Sequence, residues 1–307
     1  MQETINNICA IRLQHVSKSY GNVKALDDIS CDVAKGELFG IIGPDGAGKT
    51  TLFRILTTLI MADSGTATVV GLDVINDYKK IRNLAGYMPG RFSLYQDMTV
   101  EENLTFFASV FGTSIKENYA LIEDIYKQIE PFKTRRAGKL SGGMKQKLAL
   151  SCALIHKPTV LFLDEPTTGV DPVSRKEFWE MLKRLKAQGI TILVSTPYMD
   201  EATQCDRIAL IRDGQFLRID TPAQIISQFN ETLWAVSGEQ MSKLYTDLHR
   251  IPSIKSCFAF GDTHHITVDP NKLTINELKI RLAELSHTGI EIKPIEATIE
   301  DCFMAIS

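Results

Sequence analysis

The sequence predicts an α/β fold with a phosphate-binding loop in its core and a small α+β domain at the carboxyl end. First, residues 43–50 match the pattern G-x-x-x-x-G-K-[ST] and follow an apolar run at 38–42. Second, the apolar runs at 159–163 and 190–194 each follow helical sequence, which is typical of parallel strands in βαβ units. Third, the residues after 222 form a separate series of strand and helix patterns.

Length and composition indicate an ordinary globular protein with one large and one small domain. The chain has 307 residues, of which 44% are hydrophobic and 23% are charged, and its formal net charge is −3. No basic excess points to nucleic acid, and no basic amphipathic stretch points to a membrane surface. We therefore expect no nucleic-acid partner.

Cysteine usage and the lack of long apolar runs favour a cytosolic chain. The six cysteines are Cys9, Cys31, Cys152, Cys205, Cys257 and Cys302. None forms a Cys-x-x-Cys pair, so reduced thiols are expected. Residues 1–10 include polar residues where a signal peptide needs an apolar core, and no apolar run reaches the roughly 18–20 residues of a membrane helix. If the protein acts at a membrane, another chain must span it.

The amino-terminal part of the chain predicts a β subdomain followed by the phosphate loop. Residues 11–38 alternate apolar and polar side chains, with turns at 20–22 and 35–37, which predicts an antiparallel hairpin region. Helical sequence follows the loop at 50–59. Strand, glycine-rich turn and helix is the context that a phosphate loop requires.

A helical insertion interrupts the α/β pattern at about 88–155. Residues 99–111 and 114–129 predict two helices, and Thr99 with Glu102 forms a capping box at the start of the first. Right-handed crossovers would place the helices of the core against both faces of its sheet.

A domain boundary is expected near residues 220–222, which gives domains at 1–221 and 222–307. The elements after it are strand, helix, two strands, helix and strand, which predicts a ferredoxin-like α+β sandwich. The predicted elements are 232–237, 239–250, 254–260, 264–268, 274–287 and 290–294.

The phosphate loop consists of Gly43, Pro44, Asp45, Gly46, Ala47, Gly48, Lys49, Thr50 and Thr51. Its glycines let the backbone N–H groups point inward, and the following helix adds its positive amino-terminal end. Lys49 can reach the β- and γ-phosphates of a nucleotide, and Thr50 can ligate Mg²⁺. The alternative is a chance glycine-rich turn, against which the flanking strand and helix argue.

Two further motifs accompany the loop. Asp164 and Glu165 end the apolar strand, where Asp164 stands as an outer Mg²⁺ ligand and Glu165 can polarise the attacking water. Alone, such a pair would indicate only a solvated strand end. Ser141, Gly142 and Gly143 open a helix and form a second anion-binding helix end, for which a plain helix cap is the alternative.

From about residue 11 to residue 218, the sequence resembles the ATP-binding subunits of ABC transporters. The matching motifs are GPDGAGKTT at 43–51, LSGGMKQK at 140–147, LFLDEP at 161–166 and GVDP at 169–172. The resemblance implies a P-loop ATPase core that binds ATP and Mg²⁺ and pairs head to tail with a second ATP-binding domain, as a homo- or heterodimer. It also implies integral membrane permease subunits and a location at the inner face of the cell membrane.

The resemblance assigns roles to further residues. Ser141, Gly142 and Gly143 would close over the ATP held by the partner domain, and Asp171 would lie in the loop that crosses the dimer interface. Tyr20 falls where the family has an aromatic ring that stacks on adenine, although an ordinary strand-end tyrosine is the alternative.

Two positions depart from the family pattern. Gly90 stands where the family usually has a glutamine that touches Mg²⁺ and the attacking water, and Pro197 stands where it has a histidine that contacts the γ-phosphate. Because one preorganised transition-state contact is worth about 3–4 kcal/mol, we expect a site that binds Mg·ATP well and hydrolyses it slowly. The alternative is that water or Thr196 substitutes and turnover is normal. The intact signature favours an asymmetric heterodimer.

The sequence favours an exporter. The ending at 298–303 resembles that of single-domain subunits of bacterial drug and polysaccharide-type exporters. Phe92, Leu94 and Tyr95 would suit docking of a membrane partner's cytoplasmic helix if exposed, or would pack the insertion. His264 and His265 are interpreted as a surface pair rather than metal ligands, because neighbours in a strand point to opposite faces.

Two rival functions remain open. A soluble ABC ATPase that acts on ribosomes or DNA usually has two ATPase domains or a long coiled coil, and this chain has one such domain and a compact insertion. A non-catalytic clamp would bind ATP only to hold a partner, and the residues at positions 90 and 197 keep that alternative open.

Overall fold

Two compact units make up the structure, which is a computed structural model that describes residues 9–306. The first unit ends at Pro222, and the second begins at Ala223. The prediction for the polar stretch at 1–10 falls almost wholly on residues outside the described part of the chain.

An antiparallel sheet begins the first unit. Its strands are β1 (Cys9–Tyr20), β2 (Val23–Ala34), β4 (Ser64–Val69) and β5 (Leu72–Asp73), in the order β2-β1-β4-β5. The β1–β2 hairpin turns at Gly21, whose φ of 59° lies in the left-handed region that glycine tolerates. The predicted hairpin region is confirmed.

A six-stranded sheet forms the centre of the first unit, with the order β10-β9-β3-β8-β7-β6. Its strands are β3 (Leu38–Ile42), β6 (Ala85–Met88), β7 (Val160–Asp164), β8 (Thr191–Thr196), β9 (Arg207–Arg212) and β10 (Gln215–Asp220). β3, β8 and β7 run parallel and are buried along their whole length, which explains their continuous apolar sequence. The carboxyl ends of β3 and β7 therefore meet at one edge, with β8 between them.

The helices of the first unit agree with the predicted α/β pattern. They are α1 (Lys49–Leu56), α2 (Tyr78–Leu84), α3 (Val100–Val110), α4 (Ile115–Tyr126), α5 (Gly142–Leu154) and α6 (Pro172–Ala187). The capping box of Thr99 with Glu102 is present. α1 ends three residues before the predicted limit because Thr58 adopts a φ of 62°, which a continuing helix cannot accommodate.

The second unit contains a sheet with the order β12-β13-β11-β14. Its elements are α7 (Pro222–Ser227, which starts at the boundary), β11 (Thr232–Ser237), α8 (Met241–Leu248), β12 (Ile254–Phe260), β13 (Thr263–Val268), α9 (Ile275–Glu284), β14 (Glu291–Pro294) and α10 (Ile299–Ile306). β11 to β14 follow the predicted strand–helix–strand–strand–helix–strand order, and neighbouring strands are antiparallel. The sequence did not predict α7 and α10.

The interpretation of His264 and His265 as a surface pair is wrong. His264 is 5% exposed, and its Nε2 lies 2.9 Å from the Met241 carbonyl oxygen. His265 points to the other face of the sheet, where its Nδ1 lies 2.7 Å from Asp301 Oδ1. Asp301 belongs to α10, so the partner of this half-buried side chain comes from a helix that the sequence did not predict.

Candidate functional site

The phosphate loop joins β3 to α1, and close backbone approach requires two of its glycines, Gly43 and Gly48. A Cβ at Gly43 would lie 2.1 Å from the Ile211 carbonyl oxygen. At Gly48, φ is +102°, and a Cβ would lie 2.2 Å from the Ala25 carbonyl oxygen. Any side chain at either position would displace backbone, so the loop conformation depends on both glycines.

Lys49 follows the glycines of the loop and is buried, with 3% of its surface exposed. Its ammonium group donates to the carbonyl oxygens of Gly43 and Pro44, both at 2.8 Å. The same nitrogen lies 3.1 Å from Glu165 Oε1 and 4.0 Å from Asp45 Oδ1. The structure therefore brings together the predicted phosphate-binding cation and the predicted general base.

A cavity of about 210 Å³ opens beside Lys49. Its lining consists of Tyr20, Ala25, Gly46, Gly48, Lys49, Thr50, Thr51 and Glu165. The Tyr20 side chain ends β1 and is 47% exposed, with Lys18 Nζ 5.8 Å from the ring centroid. The cavity thus combines an exposed aromatic ring with hydroxyl groups and a buried ammonium group. This combination suits a nucleotide whose adenine stacks on the ring and whose phosphates lie near the ammonium group.

Other predicted loop residues lie around this cavity rather than in its lining. Pro44 and Asp45 are exposed on the loop, whereas Ala47 is 4% exposed and packs in the core. The Ala47 carbonyl oxygen accepts the N–H of Gly214 at 3.2 Å, which ties the loop to the β9–β10 turn.

Asp164 and Glu165 end β7 at the same edge of the sheet. Asp164 is 2% exposed, and its Oδ1 accepts the hydroxyl of Ser195 at 2.8 Å. The Glu165 N–H donates to the carbonyl oxygen of Ser195 at 3.1 Å and to its hydroxyl at 3.0 Å. Sequence analysis missed Ser195, although its place near the end of the strand between β3 and β7 could have indicated it.

Ser141, Gly142 and Gly143 form the amino-terminal end of α5. Ser141 caps the helix by accepting the Met144 N–H at 3.4 Å. A Cβ at Gly143 would lie 2.7 Å from Ser174 Oγ, so the signature packs closely on α6. Among the described residues, these three are not part of the cavity lining around Lys49.

Asp171 caps α6 and lies next to this contact. Its Oδ1 accepts the Ser174 N–H at 3.0 Å, and this hydrogen bond is the main cause that lowers the Asp171 pKa. The carboxylate therefore stays charged and holds the start of the helix on which the signature packs.

Gly90 lies beside the acidic pair. A Cβ at this position would lie 3.0 Å from the Asp164 carbonyl oxygen and 3.7 Å from Glu165 Cβ. A longer side chain at position 90 would be within reach of the Asp164 and Glu165 carboxylates. Because Gly90 has no side chain, no polar side-chain group from this position contacts the acidic pair.

Pro197 follows β8, where Thr196 is committed to other partners. The Thr196 hydroxyl is fully buried, donates to Glu201 Oε2 at 2.5 Å and accepts the Tyr198 N–H at 3.1 Å. The same Glu201 oxygen accepts the Thr167 hydroxyl at 3.0 Å. These bonds disfavour the alternative in which Thr196 replaces the absent histidine.

A second, larger cavity of about 510 Å³ lies between the sheet and the helical insertion. Its mostly apolar lining includes Tyr87, Leu94, Val110, Phe111 and His156. His156 stacks on Phe111 with 3.8 Å between ring centroids, and burial lowers its pKa. Burial, together with the nearby Asp164 carboxylate, raises the pKa of Tyr87 to about 12. Both side chains are therefore neutral near pH 7, and Arg82 is the charged residue in the lining of this cavity, which is called the apolar groove below.

The three apolar residues after Gly90 differ in exposure. Leu94 is 8% exposed, and Phe92 is half-buried with Lys145 Nζ 5.5 Å from its ring. Tyr95 is 50% exposed and stacks edge-on against Phe106 at 5.0 Å. Leu94 therefore packs in the insertion, whereas Tyr95 is exposed and Phe92 is intermediate.

A family model described as ABC transporter matches residues 26–168. The chain is 39% identical over 308 residues to Nod factor export ATP-binding protein I of Mesorhizobium japonicum. That match covers 97% of this chain and 86% of the relative. It is 45% identical over 216 residues to the probable multidrug ABC transporter ATP-binding protein YbhF of Escherichia coli (strain K12). That match covers 69% of this chain, which spans only 37% of the YbhF length.

Solved structures resemble the fold over about 70% of the chain. CbiO1 of Clostridium perfringens, described as part of the ABC transporter complex cbiONQ, has a TM-score of 0.65 and 25% identity over 72% of this chain and 92% of its own. A dimeric ATP-binding cassette, MJ0796, bound to ADP and Pi has a TM-score of 0.63 and 26% identity over 69% of this chain and 98% of its own. Within residues 9–306, no helix is both long and apolar enough to cross a membrane.

Proposed function

Because this chain belongs to the family of ABC transporter ATP-binding proteins, we propose that it is the ATP-binding subunit of an exporter and couples ATP binding and hydrolysis to transport, with slow hydrolysis at its own site. The observation that carries the proposal is the meeting of Lys49, Glu165 and the phosphate loop around one cavity. Export is supported by the names of two relatives, a Nod factor export ATP-binding protein and a probable multidrug transporter ATP-binding protein. The similar ending at 298–303 supports it further.

Nucleotide binding follows from the charges around the cavity. Lys49 is held by two carbonyl oxygens and Glu165, so an entering triphosphate meets a cation that is already in place. As the phosphates take over the charge of Lys49, the Glu165 carboxylate becomes available to polarise the attacking water. Tyr20 stacks on the base, and stacking tolerates different bases.

The residues present fit Mg²⁺. The Thr50 hydroxyl and the Asp164 carboxylate are oxygen donors, and Mg²⁺ is usually held by one or two such groups together with phosphate oxygens and water. When bound, the cation neutralises charge that develops on the phosphates. Thr50 lines the cavity, and Asp164 lies at the same edge of the sheet.

The signature serves a second ATP-binding domain. Ser141, Gly142 and Gly143 lie outside the lining of the cavity around Lys49, so their helix end is available to a nucleotide held elsewhere. In a head-to-tail pair this helix end would face the partner's nucleotide, and the dimeric structure of the ATP-binding cassette MJ0796 supports pairing. Gly90 and Pro197 weaken hydrolysis at the chain's own site, which favours pairing with a different subunit.

The apolar groove is the docking place for a permease. Its lining is mostly apolar, and Val110 at its edge is 60% exposed. A short cytoplasmic helix of the permease would bury this surface, and the groove includes Tyr87, whose pKa is raised by burial and by the nearby Asp164 carboxylate. The protein would therefore work at the inner face of the cell membrane without entering it.

Purification from detergent extracts, followed by identification of the chains that co-purify, tests the proposal. The expected result is recovery of integral membrane chains together with a second ATP-binding domain. Recovery only with ribosomes or DNA would overturn it. Substituting Val110 by Asp provides the control for the groove, because a charge there should release the membrane chains and leave ATP binding intact.

A non-catalytic clamp is the second candidate, favoured by Gly90 and Pro197. In that case ATP holds the dimer together and is not hydrolysed at this chain's site. The family's ATPase activity and the presence of Glu165 beside Lys49 support hydrolysis instead.

A further inference from the structure

Ser195 lies between the two strands that carry the nucleotide site. It belongs to β8, where it is paired in register with Ile41 of β3 on one side and Asp164 of β7 on the other. Its side chain is fully buried. β8 is apolar at Leu193 and Val194 but ends with Ser195 and Thr196, two buried hydroxyl residues that need hydrogen-bond partners.

The Ser195 hydroxyl uses both its donor and its acceptor on the acidic pair. It donates to Asp164 Oδ1 at 2.8 Å and accepts the Glu165 N–H at 3.0 Å. A hydroxyl has one donor and can rotate to suit its partners, so this arrangement satisfies two neighbouring groups with one atom. The position of the Asp164 carboxylate and the path of the Glu165 backbone are therefore linked.

Both partners need such support. Asp164 is 2% exposed, and a buried carboxylate is unfavourable without a donor. Glu165 adopts a φ of 50°, which lies in the left-handed region that residues with a Cβ avoid. The hydrogen bonds of its N–H to Ser195 hold it in this conformation, and from there its carboxylate reaches Lys49.

We propose that Ser195 is a positioning residue of the nucleotide site, which orients the Asp164 carboxylate for the nucleotide-bound cation and fixes the backbone of Glu165. This inference rests on the proposed function, because ATP and Mg²⁺ enter only there. A purely structural serine would affect the stability of the fold and the binding of free ATP and Mg·ATP alike. A positioning serine acts on Asp164, so its loss weakens binding of Mg·ATP more than binding of ATP alone.

The test measures ATP affinity by calorimetry, once with Mg²⁺ and once with EDTA, on the full chain. The variants are Ser195→Thr and Ser195→Val, which have the same shape and differ in the hydroxyl. For Ser195→Val we expect Mg·ATP affinity to fall about tenfold relative to Ser195→Thr, as for loss of one hydrogen bond to a charged group. Their affinities for ATP in EDTA should agree within about twofold, since no cation then involves Asp164.

Ser151→Ala is the matched control. Ser151 is also fully buried, but its hydroxyl donates to the Lys147 carbonyl oxygen at 2.8 Å within α5. It should leave both affinities unchanged. Equal Mg·ATP affinity in the Thr and Val variants, or an equal loss with and without Mg²⁺, would overturn the role of Ser195. Failure of the unsubstituted chain to bind ATP under either condition would instead refute the proposed function.

Discussion

The cavity around Lys49 and the two loops beside it differ in what they offer to ATP. The cavity presents a buried ammonium group, the hydroxyls of Thr50 and Thr51 and an aromatic rim. Positions 90 and 197 are Gly and Pro, which present no side-chain donor. Under the proposed function, the groups that would hold a nucleotide are present, whereas the side chains that would contact its terminal phosphate from positions 90 and 197 are absent. Binding and hydrolysis are then expected to depend on partly separate residues, so substitutions can affect one more than the other.

Removal of the Lys49 ammonium group should have the largest effect. Lys49→Ala is expected to lower ATP affinity by about a hundredfold or more, because at least two charge-assisted hydrogen bonds to phosphate are lost. Equilibrium titration with ATP measures it. Lys147→Ala removes a lysine that pairs with Glu177 away from the cavity and should bind ATP normally. Comparable affinity in the two variants would break the assignment of the cavity.

Disturbing the signature should damage turnover without touching this chain's own ATP binding. In Gly143→Ala the new methyl group lies 2.7 Å from Ser174 Oγ and 3.0 Å from Ser174 Cβ, so the Ser174 side chain or the start of α5 must shift. We expect ATP turnover of the purified complex to fall by at least about tenfold, because the helix end no longer fits the partner's nucleotide.

Gly142→Ala is the milder comparison for that experiment. Its methyl group meets only the Gly169 carbonyl oxygen, at 3.3 Å. Turnover should fall less than in Gly143→Ala. An unchanged turnover in both variants would contradict a role of the signature at the partner's site.

Restoring the two absent side chains should raise turnover. We expect Gly90→Gln combined with Pro197→His to increase ATP hydrolysis of the complex by about tenfold, less than a fully preorganised contact provides. The Cβ introduced at position 90 would lie 3.0 Å from the Asp164 carbonyl oxygen, so the backbone must first give way slightly, which limits the effect. Steady-state phosphate release measures it, and no change would count against a slow site in this chain.

The smallest effect is expected at the rim. Tyr20→Ala should weaken ATP affinity about fivefold to tenfold, whereas Tyr20→Phe keeps the aromatic face and should bind almost normally. Equal losses in the two variants would mean that the hydroxyl, and not stacking, matters. No loss in either would leave Tyr20 as an ordinary residue at the end of β1.

Local patterns made the core of the fold and of the nucleotide site predictable. The phosphate loop, the buried strands and the capping box of Thr99 depend on neighbours in sequence, and the structure contains them as predicted. The role of Ser141 came from the resemblance to a family, because no local pattern relates a helix end to a second molecule. The absence of a histidine at position 197 was likewise noticed only by comparison with the family pattern.

Contacts between distant segments could not be predicted in the same way. Ser195 meets Asp164 and Glu165 across about 30 residues of sequence, and only the strand order brings them together. The contact between His265 and Asp301 depends on α10, a short helix that the local sequence pattern did not predict. The hydrogen bond from the Thr196 hydroxyl to Glu201 likewise depends on the folded path of the chain after β8, which no local pattern predicts.

ATP turnover of the purified complex with Glu165→Gln tests the central claim most directly, namely that this chain binds ATP while most hydrolysis occurs at the partner's site. We predict a rate within about twofold of the unsubstituted complex, because the lost general base belongs to a site that already hydrolyses slowly. A fall of about tenfold or more would contradict the claim and would show that this chain's own site carries the turnover despite Gly90 and Pro197.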